Sequence, residues 1–356
     1  MGLSFKAGRL LSIMVGATLA IPGILVGTAA AQDTLNVGGI YGGVWADSIR
    51  AAILTPYQQK TNTKMNIEEG ISSVTLAKLR QQKSDPALDV VWIDRIVSDQ
   101  AILEGLVEPI DAAVLSNLAD VAPNAVIKDK AGNIVALTTG YWAAGIAYNT
   151  KEINTRPQSW LDLAKPEYKG KLAVYTPENA IGLPLLVTIA ELKGGGPDNM
   201  DPGFAFFRDL VKNGAIMFAG SPAGGNLLAN GEAAIATLAS TQVWDLQAKG
   251  FPIAYVAPKE GVVGGDIRVH VVKGAKNKAA AMKLANFAIS AEAQESLAER
   301  LLVGPVNKKV KLKPETAAKM PWGETGSPDT IRLVDPYVII DKRDAWTARW
   351  NKEVAQ

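Results

Sequence analysis

The fold is decided by the stretch Leu88-Asp89-Val90-Val91-Trp92-Ile93-Asp94-Arg95, in which an apolar run ends at two charged residues. The run predicts a buried strand at 88–93, and a helical pattern at 74–83 precedes it. Outward from this stretch, strand-like and helical segments alternate along most of the chain. This alternation predicts an α/β architecture with mainly parallel sheets.

The size of the chain predicts more than one domain. Its 356 residues exceed one ordinary core, since domains of about 150 residues are usual. We expect two α/β lobes: 33–142 as the first part of lobe 1, 143–266 as lobe 2, and 267–309 as a return to lobe 1. The remaining residues, 310–356, are expected to form a C-terminal tail that packs across the lobes.

The N-terminus predicts export. Basic residues precede an apolar run at 10–26, and three alanines precede Gln32. This order is typical of a secretory signal peptide, which we place at 1–31. A membrane anchor is disfavoured because Pro22 interrupts the run and no stop-transfer charges follow it. We therefore expect a periplasmic protein with no direct membrane insertion after the signal is cleaved.

Charge and composition narrow the range of partners. The signal removes two basic residues and no acid, so basic and acidic residues are then equal in number at 35 each. A balanced chain lacks the positive field that binds nucleic acid or anionic lipid. The absence of cysteine excludes disulfides, thiol chemistry and a thiol-linked lipid anchor. Small solutes and protein partners remain.

Residues that follow strand ends are the first candidates for a site, because parallel strands point their carboxyl ends at the crevice where ligands bind. Asp94 and Arg95 follow the strand quoted above, and Tyr41 and Trp45 follow an earlier one. The alternatives are a solvated ion pair for the first two and plain packing for Trp45. A helix that begins after Gly43 would also direct backbone N–H groups at an anion.

Side chains suited to catalysis are scarce. His270 is the single histidine, lies in an apolar run, and has no cysteine to pair with. Metal sites and nucleophilic catalysis require clusters of such residues, so we predict no metal, no cofactor and no enzymatic activity. Carboxylate-dependent catalysis stays open from spacing alone. The glycine turn at 38–43 lacks the G-x-G-x-x-G pattern of dinucleotide sites.

Several segments resemble extracellular solute-binding proteins of the spermidine/putrescine type. The longest, at 159–172, reads SWLDLAKPEYKGKL. Shorter segments agree in order: Asp89-Val90-Val91, Glu104-Gly105-Leu106, Gly145-Ile146-Ala147-Tyr148-Asn149, Asn230-Gly231-Glu232-Ala233-Ala234, Pro258-Lys259-Glu260-Gly261, Lys273-Gly274-Ala275-Lys276-Asn277 and Gly304-Pro305-Val306-Asn307-Lys308-Lys309. The resemblance implies a type II periplasmic binding protein fold, with crossing hinge strands between two lobes and a ligand cleft. It also implies a membrane permease, with its ATPase, as the partner.

The ligand site departs from what the resemblance implies for polyamine-binding members. Those proteins hold a methylene chain between aromatic faces and the ammonium ends with carboxylates. Here Ala239 and Gly265 stand where tryptophans are expected, and Ile267 stands for an aspartate, although Asp266 is one position away. The tyrosines expected around Ile96 are also absent.

The residues that remain near the expected cleft carry charges of both signs. The candidate ligand-binding residues are Tyr41, Trp45, Asp94, Arg95, Tyr141, Trp142, Glu178, Ser240, Thr241, Gln242, Asp266 and Arg268. Our hypothesis is that Arg95 or Arg268 binds an anionic group, while Asp94, Glu178 or Asp266 meets a cationic or hydroxyl end. The alternative is that the arginines pair with carboxylates on the lobe surfaces.

The sequence therefore predicts the substrate-binding component of an ABC importer, which closes about a hinge on a small polar solute. An amino-acid-like zwitterion, an organic acid and a polyamine-like solute all remain open. A ferric solute would require converging tyrosines, and the chain has no adjacent tyrosine pair. The alternative functions are a secreted carboxylate-dependent hydrolase or lyase, and a solute receptor used for signalling.

Overall fold

Strand pairing organises the chain around one long sheet. The computed structural model describes residues 1–2, 34–323 and 326–355, and the predicted signal peptide beyond its first two residues lies outside the described residues. The strands are β1 (Thr34–Gly38), β2 (Lys64–Ile67), β3 (Val90–Asp94), β4 (Val126–Lys128), β5 (Ile134–Asn149), β6 (Leu172–Tyr175), β7 (Ile216–Phe218), β8 (Ile235–Ala239), β9 (Ile253–Val256), β10 (Val262–Val271) and β11 (Ile331–Arg332).

Helices pack on this sheet. They are α1 (Val44–Ile49), α2 (Thr55–Thr61), α3 (Ser72–Gln81), α4 (Arg95–Leu103), α5 (Gly182–Leu192), α6 (Asp201–Lys212), α7 (Ser221–Ala229), α8 (Ser240–Ala248), α9 (Lys278–Ala288), α10 (Ala291–Leu301), α11 (Pro314–Ala317) and α12 (Pro336–Glu353). A π-helical turn, Arg50–Leu54, joins α1 to α2. Among the described residues, no helix combines the length and the apolar character that crossing a bilayer requires.

The sheet has two parallel halves joined by antiparallel strands. The strand order is β2-β1-β3-β10-β5-β8-β6-β7. In the first half, β2-β1-β3, neighbouring strands are parallel, and the same holds in the second half, β8-β6-β7. The central strands β10 and β5 are antiparallel to each other, and each is antiparallel to the half beside it.

The carboxyl ends of the two halves face each other. Asp94, the last residue of β3, is level with Gly140 of β5, because Ile267 of β10 pairs with both. Ala239, the last residue of β8, pairs with Ala144 of β5. Since β3 and β8 run in opposite directions, their ends are separated by four residues of β5, roughly 13 Å at the usual rise per residue.

The C-terminal segment forms a strand and a long helix. β11 pairs with the beginning of β10. Asp335 caps the N-terminus of α12, because its carboxylate accepts a hydrogen bond from the Tyr337 N–H at 2.9 Å. Trp350 is 1% exposed and packs on Phe207 of α6, with ring centroids 5.1 Å apart. The sequence predicts a packed tail here but not its helix.

The strand and the helix predicted around the deciding stretch are both confirmed, with small shifts of their ends. The strand expected at 88–93 is Val90–Asp94, and the helix expected at 74–83 is Ser72–Gln81. The main difference is β5, which has 16 residues and of which the sequence indicates only the C-terminal end. Asp33–Gln356 forms one compact unit, and the lobe boundaries stay a prediction.

Candidate functional site

Several of the predicted site residues lie at, or within three residues after, the strand ends that face each other. Asp94 ends β3, and Tyr41 lies three residues after β1 in the first half. In the second half, Glu178 lies three residues after β6, and Ser240 directly follows β8. The opposed strand directions therefore direct residues of both halves at the same gap.

Tyr41 is held in an unusual backbone conformation. Its φ of 58° lies in the left-handed region, which an aromatic residue rarely adopts. Its hydroxyl is 2.8 Å from Ser72 Oγ and donates to Asp94 Oδ2 at 3.3 Å, while Ser72 Oγ accepts from the Asp94 N–H at 3.0 Å. Burial, together with the charge of Asp94, raises the pKa of Tyr41, so the phenol stays protonated. The Trp45 ring lies beside it, with centroids 6.1 Å apart.

Two adjoining cavities lie between the halves. The larger, of about 170 Å³, is lined by Asp94, Ile96, Val97, Pro177, Glu178, Asn179, Ala180, Leu183, Pro184, Ile339 and Arg343. The smaller, of about 30 Å³, shares some of these residues and adds Arg95, Trp142, Gly264, Gly265 and Val334. Both are smaller than the roughly 300–1,000 Å³ pockets of drug-sized ligands, so they suit a small solute.

Of the predicted site residues, Asp94, Arg95, Trp142 and Glu178 are brought together around these cavities. A more voluminous groove, of about 1200 Å³, lies elsewhere, lined by residues between 109 and 134 and between 278 and 282. None of the predicted site residues borders that groove. The two smaller cavities thus lie where the carboxyl ends of the half-sheets face each other, which is where the sequence predicts the site.

A buried ion network lies behind Arg95. Its Nη1 donates to Asp266 Oδ1 at 3.2 Å, and Arg268 Nε donates to Asp266 Oδ2 at 2.7 Å. Arg268 Nη1 also donates to Asp99 Oδ1 at 2.8 Å, and Thr138 Oγ1 donates to Asp266 Oδ2 at 2.6 Å. Burial opposes the charge of Asp266, but the two guanidinium groups outweigh it and hold the pKa of that carboxyl below its ordinary value. Arg268 and Asp266 are each 1% exposed and border neither cavity.

His270 belongs to the same network and is not available as a base. Burial lowers the pKa of His270 to about 3, so the ring is neutral. Nδ1 is 2.8 Å from the Val135 carbonyl, which can only accept, so the proton is assigned to Nδ1. Nε2 then accepts from Ser98 Oγ at 2.9 Å, and Ser98 Oγ accepts from Arg268 Nη1 at 3.1 Å.

Trp142 occupies the space that Gly265 leaves open. The two residues pair across the central strands, and a Cβ added to Gly265 would lie 2.3 Å from Trp142 Cζ2. The indole therefore lies against the backbone of Gly265 at the smaller cavity. An aromatic wall is present at this point, supplied by the neighbouring strand and not by residue 265 itself.

Other predicted residues are placed away from the cavity linings. Ser240 is 1% exposed, and its Oγ has no hydrogen-bond partner among the described residues. Thr241 and Gln242 are half-buried in the first turn of α8, where Gln242 Nε2 donates to an aspartate on the same helix. Tyr141 is fully buried, and its hydroxyl donates to Asn124 Oδ1 at 2.8 Å.

Sequence reasoning missed two groups of residues at the site. Ser72 is the first residue of α3, and its hydroxyl contacts Tyr41 and the Asp94 N–H instead of capping the helix. Ile339 and Arg343 come from α12, whose beginning was signalled by Asp335 directly before a proline. The described residues contain no group of three or more His, Cys, Asp or Glu side chains arranged to hold a metal ion.

Comparisons with known proteins bear on the family and the fold. The model of the bacterial extracellular solute-binding protein family matches residues 85–326. The spermidine/putrescine-binding periplasmic protein of Escherichia coli is 26% identical over 80% of this chain and 81% of its own. The gamma-aminobutyric acid-binding protein of Pseudomonas aeruginosa is 24% identical over 95% of this chain and 96% of its own. A solved ABC transporter structure from Clostridium perfringens has a TM-score of 0.77 at 24% identity and covers 90% of this chain and 99% of that one.

Proposed function

The chain belongs to the bacterial extracellular solute-binding protein family, and from this premise we propose that it is the periplasmic receptor of an ABC importer for a small polar solute. One observation carries the proposal: the carboxyl ends of two half-sheets face each other across the central strands, and residues of both halves line the cavities between them. In this proposal a signal peptide at 1–31 exports the protein, and an ABC permease with its ATPase receives the solute.

The proposed mechanism is closure about the central strands. Each half contributes part of the site, so the solute stabilises the closed state in which both sets of contacts form. Of the proposed ligand-binding residues, Asp94 and Arg95 belong to the first half and Glu178 to the second. Asp266 and Arg268 act in this proposal by holding Arg95 in position.

We propose that the solute leaves unchanged. The neutral, buried His270 supplies no general base, and Asp94 Oδ2 accepts a hydrogen bond from the Tyr41 hydroxyl. The carboxylate-dependent hydrolase or lyase remains the rival, since Asp94 and Glu178 line one cavity. Incubating the protein with each solute that binds, followed by mass spectrometry of the solution, separates the two: recovery of intact solute supports a receptor.

The test of the proposal is a thermal-shift screen of the processed protein purified from the periplasm. The probes are polyamines, amino acids including γ-amino acids, organic acids, sugars and phosphonates. A solute present at 100 times its Kd stabilises the folded state by about 2.7 kcal/mol, which raises Tm by about 4 °C for a chain of this size. Solute released from the denatured protein is identified in parallel. If no probe raises Tm and no solute is released, the proposal is wrong.

A further inference from the structure

The wall of the larger cavity carries charged side chains of both signs, of which Glu178 and Arg343 are also exposed to solvent. Asp94 and Glu178 bring two carboxylates to its wall, and Arg343 brings a guanidinium. Among the described residues, none of these three groups forms an ion pair within hydrogen-bonding range of an opposite charge. A cavity with separated and unmatched charges is complementary to a solute that carries both charges itself.

The other two arginines near the cavities have carboxylate partners, although Arg95 Nε is buried with no hydrogen-bond partner among the described residues. Arg268 is buried between Asp266 and Asp99, and Arg95 is paired with Asp266. Asp266 would keep Arg268 and Thr138 if Arg95 turned to a solute, but Arg95 borders only the smaller cavity and Arg268 borders neither. Arg343 borders the larger cavity, and this position favours it as the anion-binding group there over the arginines that the sequence first indicated.

The second half carries Arg343 to the cavity. α12 is fixed to that half by Arg349, which is 2.7 Å from Asp201 and lies over the Phe204 ring at 4.2 Å. Lys342, next to Arg343, is paired with Asp198 at 2.7 Å. These anchors belong to α6 and to the loop before it, and α12 also packs against α4 of the first half, so Arg343 lies where the two halves meet.

Resting on the proposed receptor function, we propose that Arg343 binds the anionic group of the solute, while Glu178 and Asp94 bind its cationic end. The solute is then a short aminoalkyl acid, whose anionic group is a carboxylate or a phosphonate. Arg343 lies beyond residue 326, where the match to the family model ends. In this proposal the residue that selects the anionic group of the solute therefore lies on the C-terminal helix α12.

The test uses probes of similar length that differ in their terminal charges: 1,4-diaminobutane, 4-aminobutanoate, butanedioate and 2-aminoethylphosphonate. Calorimetric titration compares the wild-type protein with Arg343→Gln, Arg343→Lys and the control Lys352→Gln. Lys352 is an exposed cation on the same helix that does not border the cavity. We expect the wild-type protein to bind 4-aminobutanoate or 2-aminoethylphosphonate, and the two probes distinguish a carboxylate from a phosphonate.

Arg343→Gln is expected to weaken binding of the amino acid by about 10–150-fold, because a hydrogen-bonded charge is lost. Arg343→Lys should retain part of the affinity, and Lys352→Gln all of it. An affinity of Arg343→Gln within twofold of wild type overturns the inference, as does a preference for the diamine or binding of no probe. In any of these three outcomes, the wild-type protein is denatured and the solution is analysed for a bound solute. A released solute would show that the protein is a receptor although Arg343 does not have the proposed role.

Discussion

Arg268→Met tests whether the buried network stabilises the fold. The guanidinium is 1% exposed and donates to Asp266 at 2.7 Å and to Asp99 at 2.8 Å. Asp266 keeps Arg95 and Thr138 as donors, whereas Asp99 loses its ion-pair partner and keeps only the more distant charge of Arg95. Removing one partner of a buried ion pair costs about 3–5 kcal/mol. We expect a loss of that size in the free energy of unfolding by urea, and a Tm lower by about 4–8 °C.

The double variant Arg268→Met/Asp99→Asn separates lost charge from lost packing. Neutralising Asp99 removes the uncompensated carboxylate, so the double variant should recover at least about 1 kcal/mol of the loss. Lys249→Gln is the control, because its pair with Asp245 is exposed and should change stability by less than about 1 kcal/mol. A single variant within about 1 kcal/mol of wild type, or a double variant with no recovery, would refute the reasoning.

Three further predictions concern the site and the core. Gly265→Ala places a Cβ against the Trp142 indole, so we expect about tenfold weaker solute binding and altered tryptophan emission; unchanged emission would contradict this placement. His270 has a pKa of about 3 in the folded state against an ordinary value of 6.5, so its contribution to stability is complete above pH 6.5 and is lost as pH falls toward 3. Urea titrations from pH 4 to 7 should give a shallower pH dependence for His270→Asn, and equal slopes would contradict this assignment. Trp350→Ala should cost about 3–5 kcal/mol in urea unfolding, because the side chain is 1% exposed on Phe207; a loss below about 1 kcal/mol would contradict its place in the core.

Local pattern was sufficient to predict the parallel halves but not the strands between them. The stretch that ends at Asp94 has the apolar run of a buried strand, and its end borders the cavities between the halves. β5 is harder to recognise because Thr138, Thr139 and Gly140 interrupt its apolar character. The two threonines are buried because Asp266 and the Ile267 carbonyl accept their hydrogen bonds, and these acceptors lie 128 residues away in sequence. Such a strand is specified by its neighbours, which no local window contains.

The same distinction applies to the site residues. Position after a strand end predicted Asp94 and Arg95, and both line the cavities. The sequence could not indicate that Arg95 is paired with Asp266, because 171 residues separate them. Nor could composition indicate that Arg343 shares a cavity with Asp94, since that depends on how α12 packs across the second half.

The two arginines at the cavities therefore have different physical roles. Arg95 is held by Asp266, which Arg268 and Thr138 hold in turn. Its position is fixed before a solute arrives, so little conformational entropy is lost there on binding. Arg343 has no ion-pair partner in the part of the chain that the structure describes, and ordering it must be offset by the contact that it makes with the solute. Affinity should thus respond strongly to the charge at Arg343, whereas changes at Asp266 or Thr138 should alter stability and the geometry of the closed state first.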